Sequence, residues 1–133
     1  MITYQTTKQF TPQALQELFL SVQWSSGEHP QPLAAALKNF GSVFSAWDGD
    51  HLVGMIASMD DGVMNAYVHY LLVRPEYQGQ GIGRQLVARM REHYRDYLRI
   101  VLGANDEKLA FYEACGFKLA DAASLMFITD MVN

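Results

Sequence analysis

The stretch Val73-Arg74-Pro75-Glu76-Tyr77-Gln78-Gly79-Gln80-Gly81-Ile82-Gly83-Arg84 decides how the rest of the chain is read. Before it stands an apolar run, Val68 to Val73, with the character of a buried strand. After it, Gln85 to Tyr97 carries apolar residues at helical spacing. A strand, a glycine-rich turn and a helix start together make an anion site. Glycines let the backbone turn tightly with its N–H groups free, and the positive end of the helix dipole lies at the same point. A phosphate compound is therefore expected here.

Three glycine motifs compete for the turn. A P-loop ends in Gly-Lys-Ser or Gly-Lys-Thr, and Gly83 is followed by Arg84-Gln85, which excludes it. A dinucleotide fingerprint needs a third glycine where this chain has Arg84 or Leu86, which excludes that as well. What remains is Gln-x-x-Gly-x-Gly, carried by Gln78, Gly81 and Gly83 and preceded by Val-x-Pro in Val73 and Pro75. A second segment lies downstream: Asn105, then Phe111-Tyr112-Glu113-Ala114-Cys115-Gly116-Phe117.

With both segments in view, the chain resembles the Gcn5-related N-acetyltransferase (GNAT) family over roughly residues 67 to 117. It departs from the family at Lys108, where alanine is frequent. The resemblance implies an α/β (α+β) fold of the acyl-CoA N-acyltransferase type. That fold is a mixed, mostly antiparallel sheet with a central parallel pair, flanked by about four helices. It implies acetyl-CoA as cosubstrate, with the pyrophosphate held by backbone N–H groups along Gln78, Gly79, Gln80, Gly81, Ile82, Gly83 and Arg84. It also implies main-chain contacts from Leu71, Leu72 and Val73 to the thioester carbonyl and pantetheine, and cofactor contacts from Asn105 and Tyr112.

Acetyl transfer to an amine needs a held thioester, a neutral amine, stabilisation of the oxyanion and a proton for the leaving thiolate. By resemblance Tyr112 is the general acid, and a phenol with a pKa of about 10 suits a thiolate of comparable basicity. The acceptor ammonium must first lose a proton, and His69 is the candidate base. Strand alternation groups Tyr67, His69 and Leu71 on one face, and Val68, Tyr70 and Leu72 on the other. Trp24, His29, Phe40 and Tyr67 are expected as an aromatic wall around the acceptor, with Trp24, His29 and Tyr67 as its contacts. CoA itself carries the thiol, so Cys115 is read as a buried residue near a helix end.

Composition sets the outer bounds. The 133 residues are about one domain, 1 to 133, with 50% hydrophobic and 18% charged residues, which is globular. One cysteine allows no internal disulfide, the first ten residues are polar, and no apolar run reaches the ~20 residues of a membrane span. A cytoplasmic protein without membrane anchor is expected. Net charge is −4; residues 1 to 73 hold six acids and two lysines, whereas 74 to 133 hold eight acids and eight bases. The glycine-rich half is the better place for an anion and the first half is kinder to a cation. The arginines Arg84, Arg89, Arg91, Arg95 and Arg99 spread around the helix and alternate with Glu92 and Asp96, so nucleic acid is not expected as a partner. His29, His51, His69 and His93 are too far apart for a local metal site, and none is implied.

In chain order the expected elements are a first strand at 2 to 6 and a helix at about 12 to 22 opened by Thr11-Pro12. A loop and a helix at 33 to 40 follow, then a hairpin of 42 to 47 and 51 to 59 around Asp48-Gly49-Asp50. A strand at 64 to 73, the helix after Gly81, a strand at 98 to 102 and a helix at 107 to 115 come next. Closing strands at 117 to 119 and 125 to 131 end the chain. The apolar Leu125 to Val132 offers an edge for a possible homodimer. The leading reading is an N-acetyltransferase acting on a primary amine of a small molecule by direct attack in a ternary complex. Acetylation of a protein N-terminus or lysine, and a CoA-binding module without catalysis, stand as alternatives.

Overall fold

The computed structural model describes residues 1 to 131. Five strands form one sheet in the order β1-β2-β3-β4-β5: β1 (Ile2–Gln5), β2 (Ser42–Asp48), β3 (His51–Asp60), β4 (Asn65–Val73) and β5 (Arg99–Leu102). The first four are antiparallel to their neighbours and β4 pairs parallel with β5. Four helices flank the sheet: α1 (Pro12–Ser21), α2 (Pro30–Leu37), α3 (Ile82–His93) and α4 (Leu109–Ala114). This is the expected mixed fold. No helix among the described residues is long and apolar enough to cross a membrane.

Local chemistry explains the boundaries. Thr11 caps α1 through its side chain, which accepts from the Ala14 N–H at 3.1 Å, with Pro12 at the first helical position. Pro30 does the same positional work for α2, which starts earlier than the apolar pattern predicts and ends at Leu37. The tight turn between β2 and β3 is the expected one, with Gly49 at φ +62°. The β3–β4 turn is held by Asp61, whose Oδ1 accepts from the N–H groups of Val63, Met64 and Asn65. Those bonds keep its carboxyl far below the usual carboxylate range.

Two apolar layers sandwich the sheet. Leu15, Leu18, Phe19, Leu33 and Leu37 of α1 and α2 cover one face together with Leu52, Met55 and Leu72. On the other face Ile82, Leu86, Val87 and Met90 of α3 meet Val53, Ile56, Ala66 and Val68. Each fully buried leucine or phenylalanine contributes about 1.5–3 kcal/mol. A polar lock joins the far end of α3 to the sheet: Ser42 donates to the Tyr94 hydroxyl at 2.7 Å, and Tyr94 donates to Asp60 Oδ2 at 2.7 Å.

Two expectations need correction. Residues 117 to 119 and 125 to 131 are not strands: beyond α4 the backbone is irregular to residue 131, and Val132 lies outside the described residues. Ala122, between the two stretches, takes a positive φ of 54°, and within them apolar composition makes no strand without a partner for its backbone. Accordingly the parallel pair β4–β5 ends the sheet. The second correction concerns β4. Ala57 pairs with Tyr70 but Ser58 pairs with Val68, so His69 is an extra residue in a bulge. Simple alternation fails there: Tyr70 and Leu72 face the α1–α2 layer, while Val68 and Leu71 face α3.

Candidate active site

The glycine turn is fastened by the side chains that precede it. Arg74 is buried; its N–H donates to Val53 O and its Nε to Leu52 O, both at 2.8 Å, and its guanidinium lies 3.6 Å from Glu17. Tyr77 donates to Asp48 Oδ2 at 2.6 Å, and Gln78 Nε2 donates to Val73 O at 2.9 Å. Arg74, Tyr77 and Gln78 thus tie the turn to β3, β2 and β4. Gln78, expected as a backbone cofactor contact, uses its side chain to hold the end of β4.

Beyond them Gly79 and Gly81 take φ of +82° and +83°, a conformation that side-chain-bearing residues rarely adopt. No atom lies within 4 Å of where a Cβ would stand at either, so the constraint is the backbone angle and the space in front is open. Gly81 caps α3 without a side-chain hydrogen bond, and no acid sits in the first turn. The first N–H groups of a 12-residue helix therefore face that space unsatisfied and at the positive end of the dipole. Gly79, Gln80, Gly81 and Arg84 are all exposed around it, while Ile82 is buried in the α3 layer. Gly83 serves packing: a Cβ there would lie 3.3 Å from the Phe111 ring, so its absence lets α4 sit close to α3. These features suit a pyrophosphate.

The second part of the site comes from the sheet. The parallel pairing of β4 with β5 stops at Val68↔Leu102, so Leu71, Leu72 and Val73 have no partner on that side. Between the bulge and the glycine turn no strand covers the β5 side of this backbone among the described residues, where Val73 O accepts from the Gln78 side chain. Tyr112 lies on α4, half-buried, with its ring against Phe111 and Phe117 at centroid distances of 5.3 and 5.9 Å. Its hydroxyl makes no hydrogen bond among the described residues, and burial raises its pKa above the ordinary phenol value. Asn105 begins the 3₁₀ turn before α4 with its side chain exposed and uncapped, its carbonyl accepting from the Lys108 N–H at 2.8 Å. Cys115 is buried, and burial pushes its thiol up.

His69 projects from the bulge at the surface. Its Nδ1 is 3.1 Å from the Tyr67 hydroxyl, and its ring lies 4.4 Å from Tyr70 and 6.3 Å from Phe40. Packing among these rings lowers its pKa by desolvation, so it is neutral at pH 7; the same effect raises Tyr67. The aromatic wall exists with a different centre. Tyr70 stacks on Phe40 at 6.0 Å, meets Phe19 at 4.9 Å and Trp24 at 6.2 Å, and its hydroxyl is 3.0 Å from Ser26 Oγ. Trp24 joins this group. His29 does not: it is exposed, and its bonds are backbone ones to Ser26 and Leu33. Alternation placed Tyr70 away from His69, and the bulge that brings them together has no local sequence signal.

The family model described as the acetyltransferase (GNAT) family matches residues 8–117. The chain belongs to that family. This GNAT chain is 34% identical over 99 residues to a protein named histone acetyltransferase TAP1 from Glycine max, covering 65% of the chain and 43% of the relative. It is 39% identical over 69 residues to GCN5-related N-acetyltransferase 2, chloroplastic, from Arabidopsis thaliana, covering 50% of the chain and 27% of the relative. It thus spans less than half the length of these curated relatives. A solved GNAT-family acetyltransferase from Streptococcus pneumoniae TIGR4 superposes with a TM-score of 0.84 at 27% identity, covering 98% of this chain and 99% of that one. Among the described residues of this GNAT chain, no cluster of three or more histidine, cysteine or acidic side chains has the arrangement of a metal site.

Proposed function

We propose that this chain is an acetyl-CoA-dependent N-acetyltransferase in which a neutral amine attacks the thioester directly within a ternary complex. The observation that carries this reading is the gap that opens where β5 leaves β4 after Val68, leading straight to an uncapped α3 N-terminus behind Gly79 and Gly81. A long, thin, pyrophosphate-ended molecule fits that run of free backbone donors. Bound acetyl-CoA would supply an activated acetyl group and a thiolate as leaving group.

The chain's own residues do the remaining work. The N–H groups from Gly79 to Arg84 bind the pyrophosphate, and the main chain of Leu71 to Val73 orients the pantetheine amides and the carbonyl oxygen. Tyr112 keeps its proton through neutral pH because burial raises its pKa, and gives it to the departing sulfur. His69, kept neutral by the same desolvation acting in the opposite direction on its pKa, takes a proton from the incoming ammonium. In the tautomer whose Nδ1–H donates to the Tyr67 hydroxyl, Nε2 carries the lone pair for that step. Asn105 lies on the segment that leads into α4 and holds that end of the cleft.

For the acceptor, we infer an amine on a protein, a lysine or an N-terminus, in preference to the small-molecule amine expected from sequence. Support comes from the relative named as a histone acetyltransferase and from the open face beside His69, where Met59 and Val101 are exposed. The small-molecule reading keeps one observation in its favour, the wall of Trp24, Phe40 and Tyr70 next to His69. Thiol release from acetyl-CoA against lysine peptides, N-terminal peptides, polyamines and amino acids tests both. Peptides are expected to be the best acceptors; preference for a small amine reverses the acceptor assignment, and CoA binding without thiol release from any amine removes the enzymatic reading.

A further inference from the structure

Tyr112 stands on a lightly packed helix. α4 has six residues, and none of them is buried. A helix that short is not stable by itself, so contacts from outside α4 set where it sits. A proton donor has to be held to within about 0.5 Å of its working position, which makes those contacts part of the chemistry. Two of them come from α3.

At the start of α4 the Phe111 ring lies against Gly83, in the first turn of α3, 3.3 Å from where a Cβ would stand. The second contact is at the other end. Arg91, about 12 Å further along α3, donates from Nη1 to Cys115 O at 3.0 Å. Cys115 ends α4, and its carbonyl is beyond the reach of the helix's own N–H groups. The carbonyls before it are satisfied locally, those of Phe111 and Tyr112 by the Cys115 N–H and that of Glu113 by the Gly116 N–H. Gly116 takes φ of +99°, and a Cβ on it would lie 2.6 Å from Arg91 Nη1 and 3.1 Å from its Cζ. The guanidinium therefore fills the place where a side chain at 116 would stand. Among the described residues Arg91 forms no ion pair, so the charge-assisted bond to this carbonyl is what fixes it.

Tyr112 lies in sequence between the two contacts. The Phe111 contact is a single point about which a short helix can swing; the Arg91 bond supplies a second point and stops the swing. We propose that Arg91 is a positioning residue for acetyl transfer, holding the C-terminal end of α4 so that the Tyr112 hydroxyl meets the thioester sulfur. The proposal rests on Tyr112 being the proton donor. It also joins the two halves of the site, because the helix that carries Arg91 opens at the pyrophosphate turn.

Single-turnover transfer from acetyl-CoA to the best acceptor among lysine peptides, N-terminal peptides, polyamines and amino acids tests this, beside calorimetry of CoA binding. Arg91→Met removes the donor and is expected to lower the rate about 10-fold while CoA affinity stays within about 2-fold of wild type. In a Tyr112→Phe background the same substitution is expected to cost less than about 2-fold, because the group it places is already gone. Arg91→Lys keeps a cationic donor and is expected to fall between wild type and Arg91→Met; if Arg91→Met does not fold, it carries the same comparison. A wild-type rate in Arg91→Met overturns the proposal. So does an equal loss with and without the Tyr112 hydroxyl, and so does a loss carried by CoA affinity, which makes Arg91 a binding residue. A Tyr112→Phe protein as fast as wild type removes the proton-donor reading and this proposal with it; a slow Tyr112→Phe beside a fast Arg91→Met removes the proposal only.

Discussion

The Nδ1 of His69 lies 3.1 Å from the hydroxyl of Tyr67, two residues back on the same strand, while the bulge at His69 brings Tyr70 to the same side. Desolvation lowers the histidine pKa and raises the tyrosine pKa, so at pH 7 both groups are neutral. The base form of His69 is lost only as pH falls through a value below the ordinary ~6.5. A pH profile of kcat/KM is expected to show an acid limb with its midpoint under that value. His69→Gln should abolish the limb and lower kcat about 100-fold or more. Tyr67→Phe, which removes the orienting partner, should keep the limb and cost about 2- to 10-fold in kcat/KM. An unchanged profile in His69→Gln would take the residue out of the mechanism.

For Tyr112 the expected separation is between chemistry and binding. Tyr112→Phe keeps the ring against Phe111 and Phe117 and removes only the proton donor. The single-turnover rate should fall about 100-fold while CoA affinity, read by calorimetry, changes little. Equal rates in the two proteins would leave Tyr112 as a packing residue.

Gly81 is tested by backbone strain alone. A Cβ at this position meets no atom within 4 Å, so Gly81→Ala introduces no clash, but φ of +83° costs about 1–2 kcal/mol for any residue with a side chain. The variant is expected either to lose that much stability or to relax the α3 cap and bind CoA at least about 10-fold more weakly. Wild-type melting temperature together with wild-type CoA affinity would contradict the cradle.

Tyr94 is 1% exposed and ties Ser42 to Asp60 through its hydroxyl. Tyr94→Phe strands the buried Ser42 hydroxyl and takes one donor from half-buried Asp60, and should cost about 2 kcal/mol, or roughly 5–10 °C in Tm. The lock sits at the end of α3 away from the glycine turn, so CoA affinity should be preserved. Thermal melts and calorimetry on the same sample separate the two effects.

What could be read from sequence alone was whatever is local in its physics. Thr11-Pro12 and Asp48-Gly49-Asp50 set helix starts and turns through contacts within a few residues, and Gly79 and Gly81 announce positive φ wherever they stand. The shape of the glycine turn is legible for that reason. The acceptor side was not, because it depends on pairing between distant strands. The bulge that groups Tyr70 with His69 is a property of β3 against β4, and Arg74 anchors the turn by reaching Leu52 O, 22 residues earlier. Likewise Leu125 to Ile128 has strand composition without a strand, since a strand needs a neighbour and local composition cannot supply one.

The extra residue at His69 also acts as a phase shifter. With it, Val68 and Leu71 both point to the α3 layer while Tyr70 and Leu72 point to the other. Deleting His69 would restore regular alternation and turn neither end of β4: Ala66, Val68, Leu71 and Val73 would still point to α3, and Tyr70 and Leu72 to the other layer, because the pairing with β3 on either side of the bulge is already in step. The candidate base therefore occupies the position in β4 that neither core requires. A strand built this way can carry a surface-facing side chain for chemistry without spending a packing position on it.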